Sequence, residues 1–483
     1  MDFTLLGFVL YLILILIIGI RTFRANKSHS DYFLGDRKLN PWLVAFSERT
    51  SAESAWLLLG LPGAALAVGL MEIWTALGCV AGIIASWLLI ARDLRVETEK
   101  HDSITLPNFF SQKFSNIPGA GNDRVLRIVA MIIILFFFTF YLAAQFNGAG
   151  KALYVTFDLE PFVGISIGAF VIIIYTMLGG FLAVVWTDMI QGVIMFAALI
   201  ILPIAGMIEL AEQGKTIADG LAAAPAGVAS WTGGATGWAA AAVIISGLSW
   251  GLGYFGQPHL VTKYMAIKDP QKMKVSRNIA FAWAIPAFAG AVFIGLVGLA
   301  LYGHGHFSDV EQVMPYIANT LLPPWIAGIF ISAAIAAMMS TADSQLLVIS
   351  STVIEDFYHK ALGREVPRRT MLNMSRIITL AVGVIGYLIA VTSDKLIFAM
   401  VSYAWAGLGA SFGPAIILIL KWKRTTKRGV LAGMITGSVT TVIWSNIEWL
   451  DAMLSVRFSS FVLAFLAIII VSLMDKTHGL GRK

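Results

Sequence analysis

Long apolar runs, each closed by a short polar or basic stretch, follow one another along the whole chain. Windows of about 18–25 apolar residues suffice to cross a bilayer as helices. They predict thirteen spans, at 3–20, 41–65, 70–91, 125–149, 161–180, 188–209, 237–258, 278–302, 323–352, 373–391, 396–420, 429–447 and 457–474. Residues 180–188 and 392–395 read as short turns, and 20–40, 92–124, 259–277 and 355–376 as longer polar loops. No soluble domain interrupts or follows the spans, so residues 1–483 are expected to form a single transmembrane domain.

One span breaks the pattern. Residues 46–63, FSERTSAESAWLLLGLPG, carry Glu48, Arg49 and Glu53 and end in Gly60, Pro62 and Gly63. A charge at the bilayer centre costs about 2.5–3.5 kcal/mol, so three in six residues need a reason. A helix interrupted at mid-membrane, its freed backbone lining a ligand or ion site, supplies one. The alternative places Glu48 and Arg49 at a helix end, snorkelling to the interface. Glu53 could pair with Arg49 at i−4; that is the poorer orientation for a helix pair, and a break between the two would cancel it.

Five spans later the seventh reads ISGLSWGLGYFGQPH, with Gly247, Gly251, Gly253, Gly256 and Pro258. Two broken segments at matching places in two five-span halves is the pattern of inverted-repeat transporters. Because five is odd, the second half would run upside down relative to the first. Close packing of small residues is the alternative account.

Composition and charge sharpen this picture. The chain is 58% hydrophobic and 13% charged, against about 25% charged in soluble domains, which makes it an all-α polytopic membrane protein. The single cysteine, Cys79, excludes a disulfide framework. Of the seven histidines only His304 and His306 are close. Neither a buried hydrolytic metal site nor a nucleophile–base cluster is expected, and hence no enzyme. The formal charge is +6. Apart from Arg49 inside a span, and Lys151, Lys215, Lys395 and Arg457, every Lys and Arg falls on a predicted inner segment. That bias orients the chain with its N-terminus outside and its C-terminus in the cytoplasm, and it is no nucleic-acid footprint. Asp2 precedes the first apolar run, Arg21 and Arg24 follow it, and no small-residue cleavage site appears. The run reads as an uncleaved first span.

Candidate chemistry gathers in few places. The ninth span places Ser332, Ala333, Ala336, Ala337 and Ser340 on one small-residue face. Ser340, Thr341, Asp343 and Ser344 add oxygens at mid-depth. By analogy with other hard ions, sodium takes about five oxygens. Two hydroxyls and carbonyls freed in the second span would supply them, unless the hydroxyls bond back to their own helix. Trp56, Tyr141, Trp250 and Tyr254 lie mid-span, away from the interfacial belts. Their faces suit a small apolar ring and attract a cationic nitrogen; ordinary core packing is the alternative. Asp188, after VVWT, is read either as a helix cap or as part of an ion exit.

The chain resembles the sodium/solute symporter family, closest to its bacterial sodium/proline symporters. The resemblance rests on DYFLGDR at 31–37, SAWLLLGLPGA at 54–64, LGGFLAVVWTDMIQ at 178–191, WGLGYFGQPH at 250–259, MSTADSQLLVISSTVIEDFY at 339–358 and VSYAWAGLGASFGP at 401–414. It implies a leucine-transporter-type fold of 13 transmembrane helices: an extra N-terminal helix (3–20), inverted repeats of five helices each (41–209 and 237–420), and two C-terminal helices (429–474). It further implies a sodium site of the backbone oxygens of Thr50, Glu53 and Ala337 with the hydroxyls of Ser340 and Thr341. The implied substrate pocket is Trp56, Gly60, Tyr141, Trp250, Tyr254 and Pro258, with Ser54, Asp188 and Asp343 as ion-path candidates.

One departure stands out. Ala52 takes the place where proline symporters carry an aspartate, while Glu53 stands next to it and the Glu48–Arg49 pair is unusual. A carboxylate shifted by one residue either restores the charge or changes the coupling ion, protons included. The expectation is a sodium-coupled symporter that imports L-proline by alternating access across the cell inner (plasma) membrane. It needs no cofactor, binds no nucleic acid and shows no obligate protein partner; its partners are the substrate, sodium and the lipid bilayer. Alternatives are another solute (a different amino acid, pantothenate or a sugar) or a substrate-sensing transceptor. Only a short tail follows Asp475, where a signalling domain would attach.

Overall fold

The computed structural model describes residues 3–23, 33–115, 124–178, 180–364, 367–475 and 480. Arg24, Lys27, Lys476, Arg482 and Lys483, the first two residues of DYFLGDR, and Gly179 lie outside the described residues. The described residues form helices and turns, with one isolated bridge between Leu39 and Ile267.

In chain order the helices are α1 (Phe3–Phe23), α2 (Pro41–Ala52), α3 (Leu61–Val68), α4 (Ile73–Ser86), α5 (Arg92–Lys100), α6 (Leu106–Lys113) and α7 (Arg124–Phe157). There follow α8 (Pro161–Leu178), α9 (Phe181–Glu212), α10 (Ile217–Ala223), α11 (Gly237–Leu248), α12 (Pro258–Met265) and α13 (Met273–Tyr302). The remainder are α14 (Val313–Leu321), α15 (Pro324–Ser351), α16 (Arg368–Thr392), α17 (Ile397–Lys421), α18 (Lys427–Ser445), α19 (Glu448–Met453) and α20 (Val456–Met474). Each of the thirteen predicted stretches falls on helix. Among the described residues nine helices are long and apolar enough to cross a membrane. The bundle is apolar outside as well as inside: Leu10, Phe170, Ile208, Ile377 and Leu388 are exposed, whereas Ser47 to Ser51, Asp188 and Asp343 are buried. That is the arrangement hydrocarbon favours, because only buried polar groups find partners there.

The second predicted span is broken, but not at its glycines. Asn40 caps α2 by accepting from the Leu43 amide, and Pro41 opens its first turn. The helix stops at Glu53 (φ −100°, ψ 58°), whose N–H still reaches the Arg49 carbonyl. Helix resumes through a wide turn, Trp56–Gly60, into α3. Pro62 follows directly on that turn, where a missing N–H is tolerated. Gly63 instead permits close packing: a Cβ there would lie 2.9 Å from the Glu311 nitrogen.

The seventh span breaks within its glycine-rich segment. α11 tightens into a 3₁₀ segment, Ser249–Phe255, and the chain leaves helical geometry at Gly256 and Gln257. α12 then starts on Pro258. The predicted polar loop 259–277 therefore contains a helix, all of whose residues, Lys263 included, are buried. The predicted loop 92–124 likewise holds α5 and α6, the latter capped by Thr105. α2 packs on α9, α13 and α15, and the 3₁₀ segment packs on α4 and α17. The two breaks thus lie within the bundle.

Candidate functional site

A helix that ends inside the bundle leaves its last carbonyls without intrahelical partners. At the end of α2 those carbonyls face α15. Ser340 Oγ donates to the Thr50 carbonyl at 3.2 Å and to the Ala337 carbonyl at 2.9 Å. Thr341 Oγ1 donates to the Ser51 carbonyl at 3.0 Å, and the Ser51 and Ser344 hydroxyls lie 2.9 Å apart. The small side chains of Ala333, Ala336 and Ala337, all buried, allow this approach. Thr50, Ala337, Ser340 and Thr341 are thereby brought together. Ser332 behaves differently: among the described residues it donates to Gly328 in its own helix, at 2.7 Å.

Next to this cluster Asp188 accepts from Ser47 Oγ at 2.5 Å, Ser51 Oγ at 3.1 Å and Lys263 Nζ at 3.3 Å. Its carbonyl accepts from Thr50 Oγ1 at 3.0 Å. Asp188 does not cap α9, whose N-cap is Gly180. Lys263, assigned from sequence to an inner loop, is its buried counter-ion. Asp343 accepts from Thr176 Oγ1 and lies farther along α15. Toward the chain's polar loops, Arg37 straps α5 to α12, donating to the carbonyls of Thr98 (3.1 Å), Met265 (3.1 Å) and Ser103 (2.8 Å). Burial, followed by the nearby Arg95, pushes its guanidinium down to about 10.

The three charges of α2 and its break form a closed network rather than an interfacial pair. Arg49 Nε and Nη2 both donate to Glu48, Nε at 2.6 Å, and Nη1 donates to Glu53 Oε1 at 2.9 Å. The break follows Glu53 instead of separating it from Arg49, so the i−4 pair forms. Glu48 also accepts from Trp87 Nε1 and Tyr264 Oη, each at 3.1 Å, and Glu53 from Tyr254 Oη at 3.0 Å. All three charged side chains are fully buried.

The predicted aromatics converge across the two breaks. Trp56 stacks on Trp250, with centroids 4.8 Å apart and planes 14° from parallel. Trp56 Nε1 donates to the Ala52 carbonyl, and Ser54 Oγ lies 3.4 Å from Tyr141 Oη. Tyr254 reaches the set through Glu53. Gly60 faces Phe398, and Pro258 precedes His259, whose ring meets Tyr141 edge-on at 6.1 Å. Several partners escaped the sequence reading. Trp405 donates to the Trp250 carbonyl at 2.9 Å and meets Tyr254 edge-on. Phe398 packs on Trp250, Arg457 lies over the Trp250 ring at 4.6 Å, and Gln257 donates to the Trp405 carbonyl at 3.0 Å. Trp405 stood within the VSYAWAGLGASFGP string; for Phe398 and Arg457 the sequence held no signal, since both arrive from distant helices.

Comparisons with known proteins give the family. The family model described as "Sodium:solute symporter family" matches residues 32–437. The high-affinity proline transporter PutP of Bacillus subtilis is 39% identical over 464 residues, covering 95% of this chain and 96% of its own. The sodium/proline symporter of Salmonella typhimurium is 37% identical, covering 98% and 93%. Among solved structures, a Na⁺-coupled sialic acid symporter in a substrate-bound outward-open state superposes with a TM-score of 0.75 at 18% identity, over 99% of both chains. MhsT in complex with L-phenylalanine gives 0.57 at 17% identity, over 90% of this chain and 98% of its own. The last two speak for the fold alone. Full-length likeness at this level, on a helical bundle of membrane-crossing length, places the chain in the sodium:solute symporter family of integral membrane transporters.

Proposed function

We propose that the protein imports L-proline together with sodium by alternating access. The observation that carries the reading is the meeting, at the end of α2, of the Ser340 hydroxyl with the Thr50 and Ala337 carbonyls and of the Thr341 hydroxyl with the Ser51 carbonyl. These are neutral hard oxygens of the kind sodium takes, and the carbonyl of Glu53 completes the proposed set. Relatives named for proline transport share this chain along nearly its whole length.

Sodium bound there ties α2 to α15 and steadies the outward-facing arrangement. Proline then inserts its ring among Trp56, Tyr141, Trp250 and Tyr254, beside Gly60 and Pro258. Ser54 borders this pocket, and Asp188 and Asp343 lie on the route by which the ion leaves. The thirteen stretches cross the membrane with the N-terminus outside and the C-terminus in the cytoplasm. The breaks at Glu53 and at Gly256–Gln257 mark corresponding helices of two inverted repeats, 41–209 and 237–420, with 3–20 before them and 429–474 after. At about 2.3 kcal/mol per charge per 100 mV, one sodium accounts for roughly fiftyfold accumulation from the potential alone.

The test is radiolabelled L-proline uptake into proteoliposomes under separate inward sodium, potassium and proton gradients, with other amino acids, pantothenate and sugars as competitors. Sodium-driven uptake that only proline competes is expected. Uptake driven by protons alone would overturn the ion, and absence of proline uptake would overturn the substrate.

A further inference from the structure

Glu48, Arg49 and Glu53 together carry one more negative charge than positive, and their hydrogen bonds locate the surplus. Both oxygens of Glu48 are saturated by Arg49, Trp87 and Tyr264. All three nitrogens of Arg49 are spent on carboxylates. Glu53 is only half engaged: Oε1 accepts from Arg49 and Tyr254, while Oε2 is buried with no hydrogen-bond partner among the described residues. A carboxylate oxygen out of water without a donor is costly. Such an oxygen, on the residue where α2 stops, is the place for a cation.

The surroundings say which cation. Glu53 is joined through Tyr254 to Trp405, and its neighbours Ser54 and Trp56 touch Tyr141 and Trp250. Aromatic faces attract a cationic nitrogen. The oxygens gathered on Ser340 and Thr341 are neutral and already hydrogen-bonded to one another, whereas this carboxylate oxygen is not. Each nitrogen of Arg49 is already turned toward a carboxylate.

We propose that Glu53 is a specificity-determining residue whose Oε2 accepts an N–H of the charged ammonium of the amino-acid substrate; this rests on the reading of the protein as a proline carrier. A zwitterion fits, with its ammonium on Glu53 and its ring against the stacked indoles, whereas a solute without the ammonium leaves Oε2 unpaired.

The test compares L-proline with (S)-tetrahydrofuran-2-carboxylate, the same ring with oxygen in place of the ammonium, as inhibitors of labelled proline uptake into proteoliposomes. Glu53→Gln keeps a carbonyl for Arg49 and Tyr254 and puts an NH₂ where Oε2 stands. The preference for proline over its oxygen analogue is expected to fall roughly 10- to 100-fold in Glu53→Gln. Because the readout is a ratio of two ligands, a lower amount of carrier in the membrane cancels. Glu53→Asp withdraws the oxygen by one methylene and is expected to lower the preference less; it decides the matter should Glu53→Gln fail to reach the membrane. A preference equal to the wild type's overturns the proposal, and so does an unchanged preference with altered sodium or proton dependence, which would give the oxygen to an ion. Wild-type protein that ignores L-proline sinks the functional reading and this inference together, whereas an unchanged ratio in a working carrier sinks the inference alone.

Discussion

Arg49 holds two carboxylates inside the bundle, and its removal exposes what it balances. Arg49→Met leaves Glu48 and Glu53 buried without their cation, at a cost of about 3–5 kcal/mol. A marked drop in melting temperature of the purified protein is expected. Replacing Glu48, Arg49 and Glu53 together by apolar residues of similar volume should restore much of the melting temperature yet abolish uptake. The serines of α15 offer a second comparison. Ser340 bonds across to Thr50, whereas Ser332 bonds within its own helix. Ser340→Ala is expected to raise the sodium needed for half-maximal uptake at least about tenfold, the loss of one good ligand. Ser332→Ala should leave it within about twofold, because an i−4 hydroxyl bond contributes little. Equal effects from both would remove Ser340 from the ion site.

At the scale of elements, the breaks work because their neighbours come unusually close. A Cβ on Gly82 would lie 2.2 Å from the Gly251 carbonyl, and one on Gly251 the same distance from the Gly78 carbonyl. That contact seats the 3₁₀ segment carrying Trp250 and Tyr254 against α4. Gly82→Ala is expected to destabilise by about 1–3 kcal/mol through overpacking and to weaken proline binding, because the segment must move. A thermal-shift series and a binding isotherm on the same preparation check both effects. On the other side of Trp250, Glu311 caps α17, accepting from the amides of Ile397 and Phe398 at 2.9 Å each, while Lys151 Nζ meets it at 2.5 Å. A carboxylate at a helix N-terminus is favourably placed for the helix dipole, and here it fixes the turn that brings Phe398 onto Trp250.

At the scale of the molecule, the sodium proposed between α2 and α15 would join two helices from distant parts of the chain, so it should stabilise the whole bundle. A ligand at a hundred times its dissociation constant adds about 2.7 kcal/mol. Melting temperature is expected to rise with sodium and to stay flat with potassium at equal ionic strength. The same response to both salts would mean that no specific ion bridges the halves.

The membrane class and the positions of the helices were legible in the sequence, because hydrocarbon demands long apolar runs and every such run became helix. The aromatic set and the Ser340–Thr341 pair were legible too, since polar and flat groups at mid-span stand out against aliphatic neighbours. The break in α2 was expected, but its place was not. Gly60, Pro62 and Gly63 look like breakers, yet the wide turn before Pro62 absorbs the missing N–H and Gly63 serves packing. The helix ends at Glu53, whose carboxylate is held by Arg49 and by Tyr254 two hundred residues away. Lys263 shows the same limit: in sequence it is one of many inner basic residues, and only the burial of α12 against α2 makes it the partner of Asp188. Hydropathy is a property of neighbours along the chain, so the sequence by itself determined which segments enter the membrane. Which buried charge meets which, and where a helix stops, depends on partners brought from other helices, and only the tertiary structure decided those.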